Sequence, residues 1–349
     1  DTLESRGLGD VYKRQKAKRI AVVGATGMVG QTFLNLLQND FYPDAEIVLL
    51  ASKKSAGKII EFRKKEYEVQ DLSSFDFSST DLALFSAGAS VSSKFAPKAV
   101  SQGCVVVDNS SRFRYEDDIP LIVPEVNGHE LNNFQIPNII ANPNCSTIQM
   151  LVALKPLHNA FQIKRIDITT LQAVSGTGKE ATEELIGQLS SYNGNKVSVT
   201  SVYPKQIANN VLPHCGDFDE NRYTEEENKI LKETHKILDN KIEVTATCVR
   251  VPVLNGHSES LHLETKETIS EEQAISVLQD APGLKLHHGL EADDYPTATT
   301  DADGDNLVHV GRLRKDLWSN NRINLWIAAD NLLKGAALNS LQIAELIFD

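Results

Sequence analysis

One cysteine of this 349-residue chain has neighbours suited to nucleophilic chemistry. Cys145 follows the turn Asn142-Pro143-Asn144 and precedes Ser146, Thr147 and an apolar run that ends at Leu154. The Asn-Pro turn ends a predicted strand, so Cys145 falls in the first turn of a predicted helix. Because a helix N-terminus stabilises negative charge, we expect this thiol to have a lowered pKa and to act as a nucleophile.

A thiolate that attacks an acyl group needs a proton carrier, and imidazole is the usual one. His257 follows Asn255-Gly256 between two predicted strands, where a loop would present it to a cleft. His262 alternates within a strand, His235 lies on a charged helix, and His287 belongs to a surface segment. The residues alone therefore leave His257 as one candidate among nine histidines.

Three glycines, Gly24, Gly27 and Gly30, stand between a predicted strand at 19–24 and a helical pattern at 31–38. Glycines let the backbone turn tightly and approach a pyrophosphate, whose charge then lies at the helix N-terminus. Glycines also occur in ordinary turns, but the strand before them and the helix after them predict dinucleotide binding.

The end of the second predicted strand, at 46–51, indicates which dinucleotide binds. An NAD site places Asp or Glu there to bind the ribose hydroxyls. This chain has Ser52, Lys53, Lys54 and Ser55 instead, and their hydroxyl and ammonium groups suit the 2′-phosphate of NADP. A solvated basic turn is the alternative interpretation, because exposed lysines are common.

Two further segments are each open to two interpretations. The turn from Gly176 to Gly178 follows a predicted strand and is compatible with a cofactor contact or with a simple strand-to-helix connection. Arg112 and Arg114 lie in a short polar stretch that would either hold an anion or be solvated.

The strands that must position these residues differ between the two halves of the chain. Those at 46–51, 81–86, 103–108 and 138–142 are apolar throughout and separated by helical stretches, which predicts a parallel sheet covered on both faces. Later strands, at 164–172, 245–252 and 258–264, alternate polar and apolar residues, and a charged helix is predicted from Thr224 to Leu238. The second half therefore predicts an α+β domain around a mostly antiparallel sheet.

The composition argues against several partners. A formal net charge of −12 disfavours nucleic acid and anionic membranes. No apolar run approaches the roughly 20 residues of a membrane span, and the first residues lack the apolar segment of a signal peptide. An anionic substrate would need aimed Arg and Lys residues to overcome the net charge.

The four cysteines form no C-x-x-C pair. That argues against a disulfide framework and a zinc site, so we expect a reducing, cytoplasmic compartment and no metal. Cys104 and Cys248 are expected to be small buried hydrophobic residues. Residues 1–15 show no periodicity, and 10–15 resemble a translated sequencing adapter; we expect this segment to be foreign to the fold or a natural disordered extension.

Several motifs in order resemble those of the aspartate-semialdehyde dehydrogenases, from about residue 18 to the C-terminus. The matching stretches are Gly-Ala-Thr-Gly-Met-Val-Gly at 24–30, Asp-Asn-Ser-Ser at 108–111, Asn-Pro-Asn-Cys-Ser-Thr at 142–147, Gln-Ala-Val-Ser-Gly-Thr-Gly at 172–178, Arg-Val-Pro-Val-Leu-Asn-Gly-His at 250–257 and Ala-Asp-Asn-Leu-Leu-Lys-Gly-Ala-Ala at 329–337. Together they are more specific than any one of them.

The resemblance implies a Rossmann-type domain and an α+β catalytic and dimerisation domain of the glyceraldehyde-phosphate-dehydrogenase-like type. We place the first domain at 16–143, completed by a C-terminal helix within 331–349, and the second at 144–330. The family's habit also implies a homodimer formed by the second domain and a small-molecule substrate.

In catalysis, the resemblance assigns Cys145 as the nucleophile and His257 as the general acid/base. Gln172 would orient the substrate or thioester, and Asn144, with the helix N-terminus, would support the oxyanion. Cys145 would displace phosphate from 4-phospho-L-aspartate, and NADPH would reduce the thioester to give L-aspartate 4-semialdehyde, in lysine, threonine and methionine biosynthesis.

For the substrate, the resemblance implies that Arg250 binds the α-carboxylate and that Glu226 receives the α-ammonium. Lys229, one helical turn further on, would join Arg114 at the phosphate. Glu226 is chosen within a run of three glutamates because it lies three residues before the lysine. Arg112 stands where a small residue is expected, so it remains an alternative anion ligand.

For the cofactor, NADP, the resemblance implies further binding residues in addition to the three glycines. The implied residues are Gly24, Thr26, Gly27, Met28, Val29, Gly30, Ser52, Lys53 and Ser55, with Ser175 and Gly176 near the nicotinamide and Asn331 at its carboxamide. An N-acetyl-glutamyl-phosphate reductase is the nearest rival, but its Gly-Cys-Tyr pattern is replaced here by Asn-Pro-Asn-Cys-Ser-Thr. A non-catalytic NADP-binding sensor is the rival from another class.

Overall fold

The computed structural model describes residues 17–191 and 200–348, so the predicted foreign segment at 1–15 lies outside the described residues. The first part of the chain forms eight strands and three helices. The strands are β1 (Arg19–Val23), β2 (Glu46–Ala51), β3 (Ile59–Phe62), β4 (Lys65–Glu68), β5 (Gln70–Asp71), β6 (Leu82–Phe85), β7 (Val105–Asp108) and β8 (Ile139–Ala141). The helices are α1 (Met28–Asn39), α2 (Ala89–Ser101) and α3 (Pro124–Asn127).

Six of these strands form one sheet in the order β5-β2-β1-β6-β7-β8, and every pairing in it is parallel. The four central strands, β2, β1, β6 and β7, are largely apolar and buried, as helices on either side of a parallel sheet require. From β1 the chain moves to β2 on one side and later to β6 on the other. The carboxyl end of β1 is therefore the switch point where such sheets bind ligands.

The second part of the chain forms a second six-stranded sheet and its helices. The helices are α4 (Cys145–Phe161), α5 (Lys179–Ser191), α6 (Glu225–Ile237), α7 (Glu271–Leu278) and α8 (Leu338–Phe348). The strands are β9 (Ile163–Gln172), β10 (Glu243–Arg250), β11 (His257–Thr265), β12 (Leu284–Leu286), β13 (Val308–Lys315) and β14 (Arg322–Ala329).

The order of the second sheet is β10-β9-β11-β14-β13-β12. Three central pairings are antiparallel, whereas β10 and β12 join the edges in parallel. The sheet is thus mostly antiparallel, as predicted, except that each of its two edge strands pairs in parallel with its neighbour. Residues of β11 at 257, 259, 261 and 263 share one face, which is buried.

Helix α4 connects the two sheets and packs against β11 and β14. It is buried along most of its length because it lies between the second sheet and its other helices. No helix of the described ranges is both long and apolar enough to cross a membrane.

Helix α8 returns to the first sheet. Its residues Leu341, Ile343 and Ile347 share a hydrophobic cluster with Ile20 of β1 and Leu49 of β2. The helix predicted at 331–347 begins with a π-helical turn at Leu333–Ala337 before α8.

Candidate active site

A cleft of about 280 Å³ lies between the two sheets and collects most of the predicted catalytic and substrate residues. Its walls include the N-terminus of α4, the ends of β9 and β10, and the first two turns of α6. The lining residues are Val29, Asn109, Ser111, Arg114, Asn142, Pro143, Asn144, Cys145, Gln172, Ser175, Gly176, Glu226, Lys229, Arg250, Asn331, Leu332, Gly335 and Ala336.

Cys145 is the first residue of α4, as predicted, and Asn144 caps that helix by accepting from the N–H groups of Ser146 and Thr147. A Cβ at residue 335 would lie 2.8 Å from the Cβ of Cys145, so Gly335 leaves room for the nucleophile. The expectation of a lowered pKa is wrong for this structure. Burial, with a contribution from Glu226, raises the thiol pKa to about 12 and outweighs the helix terminus.

His257 is the first residue of β11 rather than part of the predicted loop, and it is fully buried. The N–H of Ala173 donates to its Nδ1 at 3.0 Å, so the hydrogen of the neutral ring lies on Nε2. Burial, with nearby Arg250, lowers the ring pKa to about 3 and keeps it neutral. A Cβ at Gly176, which lines the cleft, would lie 3.1 Å from Nε2, so this glycine makes room for the ring, although His257 itself is not among the lining residues.

Glu226 is the centre of the hydrogen bonds in the cleft. Its Oε1 accepts from Asn144 Nδ2 at 2.8 Å and from Gln172 Nε2 at 3.1 Å, and its Oε2 pairs with Lys229 at 3.2 Å. Burial opposes ionisation, but Lys229, Asn144, Arg250 and Gln172 together hold its pKa below the usual range. The cleft therefore carries a fixed carboxylate beside the thiol.

Two arginines enter the cleft from opposite sides. Arg114 pairs with buried Glu233 at 3.0 Å and donates to the carbonyl of Asn109, whereas Arg250 donates to the carbonyl of Ala173 at 2.6 Å. Each is 7% exposed, and the Nε of each has no hydrogen-bond partner among the described residues. Both arginines therefore bring positive charge to the cleft.

Arg112 lies outside this cleft. Its side chain is exposed and pairs with Glu116 at 2.5 Å. Of the two alternatives for the anion left open by the sequence, the structure brings Arg114 into the cleft and leaves Arg112 on the surface.

The predicted glycine turn opens a second cavity of about 460 Å³ at the carboxyl end of β1. Gly24 has φ +89° and is followed by α1, and a Cβ at Gly30 would clash with the carbonyl oxygen of Gly24. These glycines let α1 approach the strand closely. The lining contains Gly24, Thr26, Gly27, Ser52 and Lys53 from the predicted cofactor set.

Of the other predicted cofactor residues, some line the cleft and some line neither cavity. Val29, Ser175, Gly176 and Asn331 line the cleft, where Asn331 accepts from the N–H of Gly256 and donates to Ser175 Oγ. Met28 contacts Thr182 on α5, and Ser55 belongs to the turn after β2; neither lines a cavity described above.

Two acids at these cavities were not predicted. Asp71, at the end of β5, faces the same cavity as Lys53 and accepts from the N–H of Ser73. Glu233, behind the cleft, accepts from Arg114 and from the N–H of Asn144, which joins α6 to the turn before Cys145. Strand β5 has two residues and gives no periodicity, but Glu233 lies seven residues after Glu226 and so on the same face of α6, which was a usable signal.

The sheet with its glycine turn and the cysteine-bearing cleft together define a nicotinamide-dependent dehydrogenase. The family model "Semialdehyde dehydrogenase, NAD binding domain" matches residues 19–134, and "Semialdehyde dehydrogenase, dimerisation domain" matches 154–334. An aspartate-semialdehyde dehydrogenase of Shewanella violacea is 51% identical over 329 residues, which cover 94% of this chain and 97% of that protein. The chain belongs to the aspartate-semialdehyde dehydrogenase family, which confirms the resemblance of its motifs.

Further relatives agree in sequence and in fold. An aspartate-semialdehyde dehydrogenase of Legionella pneumophila is 51% identical over 94% of this chain and 95% of its own. The structure of aspartate semialdehyde dehydrogenase II from Vibrio cholerae, complexed with ASA, has TM-score 0.91 and 48% identity and covers 96% of this chain and 98% of that chain. A Candida albicans enzyme with NADP has TM-score 0.75 and 27% identity, covering 95% and 98%. The predicted two-domain α/β fold is confirmed.

Proposed function

We propose that the chain converts 4-phospho-L-aspartate to L-aspartate 4-semialdehyde through a thioester on Cys145, with NADPH as reductant. One observation carries the proposal: three buried polar atoms have no partner among the described residues, namely Nε of Arg114 and Arg250, which line the cleft, and Nε2 of His257, which lies behind the lining residue Gly176. Such atoms normally find partners. A substrate with a phosphate at one end, a carboxylate at the other and an acyl oxygen between them would supply these partners.

The substrate roles follow from charge. Arg250 would bind the α-carboxylate, and Glu226, ionised in the cleft, would receive the α-ammonium. Lys229 and Arg114 would hold the phosphate. Because Lys229 and Glu226 now pair with each other, the incoming phosphate and ammonium would each replace one member of an existing ion pair.

The residues of the cofactor cavity suit NADPH. The space left by Gly24 and Gly30 admits a pyrophosphate at the N-terminus of α1. Ser52 and Lys53 would hold the 2′-phosphate, and the cleft residues Ser175, Gly176 and Asn331 would border the nicotinamide. Thr26, Gly27, Met28, Val29 and Ser55 complete the proposed set. When bound, the cofactor supplies the hydride that reduces the thioester.

Cys145 would attack as the thiolate after its proton has passed to solvent. The S–C bond would form as the acyl C–O bond breaks, and phosphate would leave with the electron pair of that bond. The N–H on Nε2 of His257 would donate to the acyl oxygen as negative charge develops, which supports a donor role in the proposed acid/base chemistry. Gln172 would orient the acyl group, and Asn144 Nδ2 would reach the oxyanion by leaving Glu226. The final collapse breaks the S–C bond and returns the thiolate.

The test is phosphate-dependent reduction of NADP⁺ with L-aspartate 4-semialdehyde, run beside N-acetylglutamate semialdehyde and glyceraldehyde 3-phosphate. We expect turnover of the aspartyl substrate alone and its loss in Cys145→Ser, a variant that keeps NADPH binding. Folded, NADPH-binding protein without turnover would overturn the proposal in favour of a sensor. Turnover of the N-acetylglutamyl substrate would make the rival reductase correct.

A homodimer and a cytoplasmic location belong to the same proposal. The match to a dimerisation domain over 154–334 supports self-association through the second sheet. All four cysteines are free thiols, as a reducing compartment allows. Light scattering that gives a monomer mass at micromolar concentration would contradict the dimer.

A further inference from the structure

A buried carboxyl group lies close to the active site without any role in the chemistry above. Glu259, on β11, is fully buried, and neither of its oxygens has a hydrogen-bond partner among the described residues. Gln149, on α4, is also fully buried, and its amide nitrogen and oxygen are likewise without partners there. Four unpaired polar atoms in an otherwise apolar interior would be costly, which calls for an explanation.

The two side chains face each other. The Gln149 amide lies where it can hydrogen-bond to the Glu259 carboxyl group. In this structure the hydrogen bond between the two groups is not yet formed. Glu259 pairs across the sheet with Thr170 of β9 on one side and with Ile327 of β14 on the other. Neither Thr170 nor Ile327 places a charged group beside the Glu259 carboxyl group.

Their places in the chain connect them to the two proposed reacting residues. Gln149 follows Cys145 by four residues, so it lies one turn further along the same face of α4. Glu259 follows His257 by two residues, so it lies on the same face of β11. Helix α4 packs on β11, and on each element the buried residue, Gln149 or Glu259, follows a proposed reacting residue on the same face.

Burial of the carboxyl group disfavours its charged form. Burial raises the pKa of Glu259 well above its usual value, and the only opposing contribution comes from Gln149. By contrast, Arg250 and Arg114 act on Cys145, and Arg250 acts on His257. A neutral carboxylic acid has one O–H donor and one C=O acceptor, which match the acceptor and donor of a primary amide.

We propose that neutral Glu259 and Gln149 form a doubly hydrogen-bonded acid–amide pair that fixes the α4 turn bearing Cys145 against the start of β11 bearing His257. Glu259 O–H donates to the Gln149 carbonyl oxygen, and Gln149 N–H donates to the Glu259 carbonyl oxygen. Apolar contacts alone allow helix and strand to slide, whereas two parallel hydrogen bonds fix their register. Both are positioning residues, and the inference rests on the proposed roles of Cys145 and His257.

The test uses Glu259→Leu and Glu259→Gln in the full-length chain. Glutamine keeps one donor and one acceptor towards Gln149, whereas leucine keeps neither. We expect kcat for L-aspartate 4-semialdehyde to fall about 10- to 100-fold in Glu259→Leu, since misplaced reacting groups cost rates of that order. The KM for NADP⁺ should stay within about twofold, because most of the proposed cofactor residues lie around the first sheet and its glycine turn. Glu259→Gln should retain at least about a third of wild-type kcat.

A second measurement needs no substrate. Alkylation of Cys145 by iodoacetamide should slow at least about threefold in Glu259→Leu and recover in Glu259→Gln, since the rate depends on the exposure and ionisation of a thiol whose helix turn the pair would fix. Because this arm needs no turnover, it still decides the inference if the proposed reaction is wrong. If Glu259→Leu does not fold, the double variant Gln149→Leu/Glu259→Leu, which leaves no unpaired group, takes its place.

The matched control is Leu261→Val, which removes a methylene from the next buried position on the same face of β11. It should lower the melting temperature without changing either rate. Three results would overturn the inference: unchanged rates in Glu259→Leu, equal losses in Glu259→Gln and Glu259→Leu, or an equal loss in Leu261→Val. The second would mean that the carboxyl group itself is required.

Discussion

Glu226 has two opposing effects on the chemistry at the scale of single residues. It organises Asn144, Gln172 and Lys229 around the cleft. Its negative charge also raises the pKa of Cys145, whereas Arg250 and Arg114 lower it. The free enzyme therefore holds an unreactive thiol, which suits a nucleophile that should attack only after a substrate ammonium has neutralised Glu226.

The first prediction concerns this control. The pKa of Cys145 is raised to about 12, so at lower pH the thiolate is a small fraction that grows about tenfold per pH unit. We expect alkylation by iodoacetamide to rise with pH from 7 to 9 without a plateau. Glu226→Gln removes the charge that raises this pKa, so its alkylation at pH 8 should be faster than in the wild type, while turnover falls.

The control for this experiment is Glu225→Gln, one residue earlier on α6, whose charge is not among those that act on the Cys145 thiol. Its alkylation rate should match that of the wild type. Slower alkylation in Glu226→Gln than in the wild type would contradict the proposed control by charge.

The sequence predicted the identities of the proposed reacting residues better than their ionisation. Cys145 was placed correctly in the first turn of a helix by the Asn-Pro turn before it. Its pKa was predicted in the wrong direction because burial between two sheets, which outweighs a helix terminus, depends on contacts distant in sequence. The burial of Glu259 opposite Gln149 was equally unpredictable, because it depends on what α4 brings to β11.

At the scale of elements, the cleft depends on how its helices begin. Helix α6 starts with a capping box in which Thr224 Oγ1 accepts from the N–H of Glu227 and the Glu227 carboxylate accepts from the N–H of Thr224. Glu226 and Lys229 lie in the first two turns of that helix. If the N-terminus of α6 unwound, the proposed substrate-binding residues Glu226 and Lys229 would therefore be displaced.

We predict that Thr224→Ala destabilises the protein by about 1 kcal/mol, as loss of such a cap does, and raises the KM for L-aspartate 4-semialdehyde. The KM for NADP⁺ should not change. The measurements are thermal unfolding and steady-state kinetics with each substrate varied in turn.

Helix α7 offers a matched control. Ser270 and Gln273 form the same capping box there, and no residue of α7 lines the cleft. Ser270→Ala should give a similar loss of stability with neither KM altered. An equal rise in substrate KM in both variants would mean that the effect comes from global destabilisation.

The sequence predicted α6 to within a residue at each end, because Thr224 and a charged amphipathic pattern mark its limits. Strands β1, β2 and β9 were also predicted, since apolar runs or alternation extend over their full length. Strand β12 and the β3–β4 hairpin were not predicted. They are three or four residues long, which is too short for periodicity, and pairing with neighbours specifies them.

At the scale of the whole molecule, Lys334 connects α8 to the first sheet. It is 1% exposed, pairs with Glu125 of α3 at 2.6 Å, and also donates to Asn339 and Gln342. We propose that the chain divides near residue 143 and that α8 belongs with the first domain. The buried ion pair is the polar part of that attachment.

We predict that Lys334→Met destabilises the folded chain by about 2–4 kcal/mol, because it leaves the mostly buried carboxylate of Glu125, 11% exposed, without its partner. Urea unfolding would measure the loss. Lys179→Met is the control, since its pair with Glu183 is exposed on both sides and should contribute under about 1 kcal/mol. Equal stability of the two variants would show that Lys334 is not a buried anchor.

The return of α8 has a consequence for the order of folding during synthesis. The ribosome releases β1 to β8 early, yet their hydrophobic cluster includes Leu341, Ile343 and Ile347, which emerge only after the whole second sheet. The first domain must therefore remain exposed on one face while the second is translated. A nascent chain that stalls between β14 and α8 would expose that apolar surface and be a natural client for chaperones.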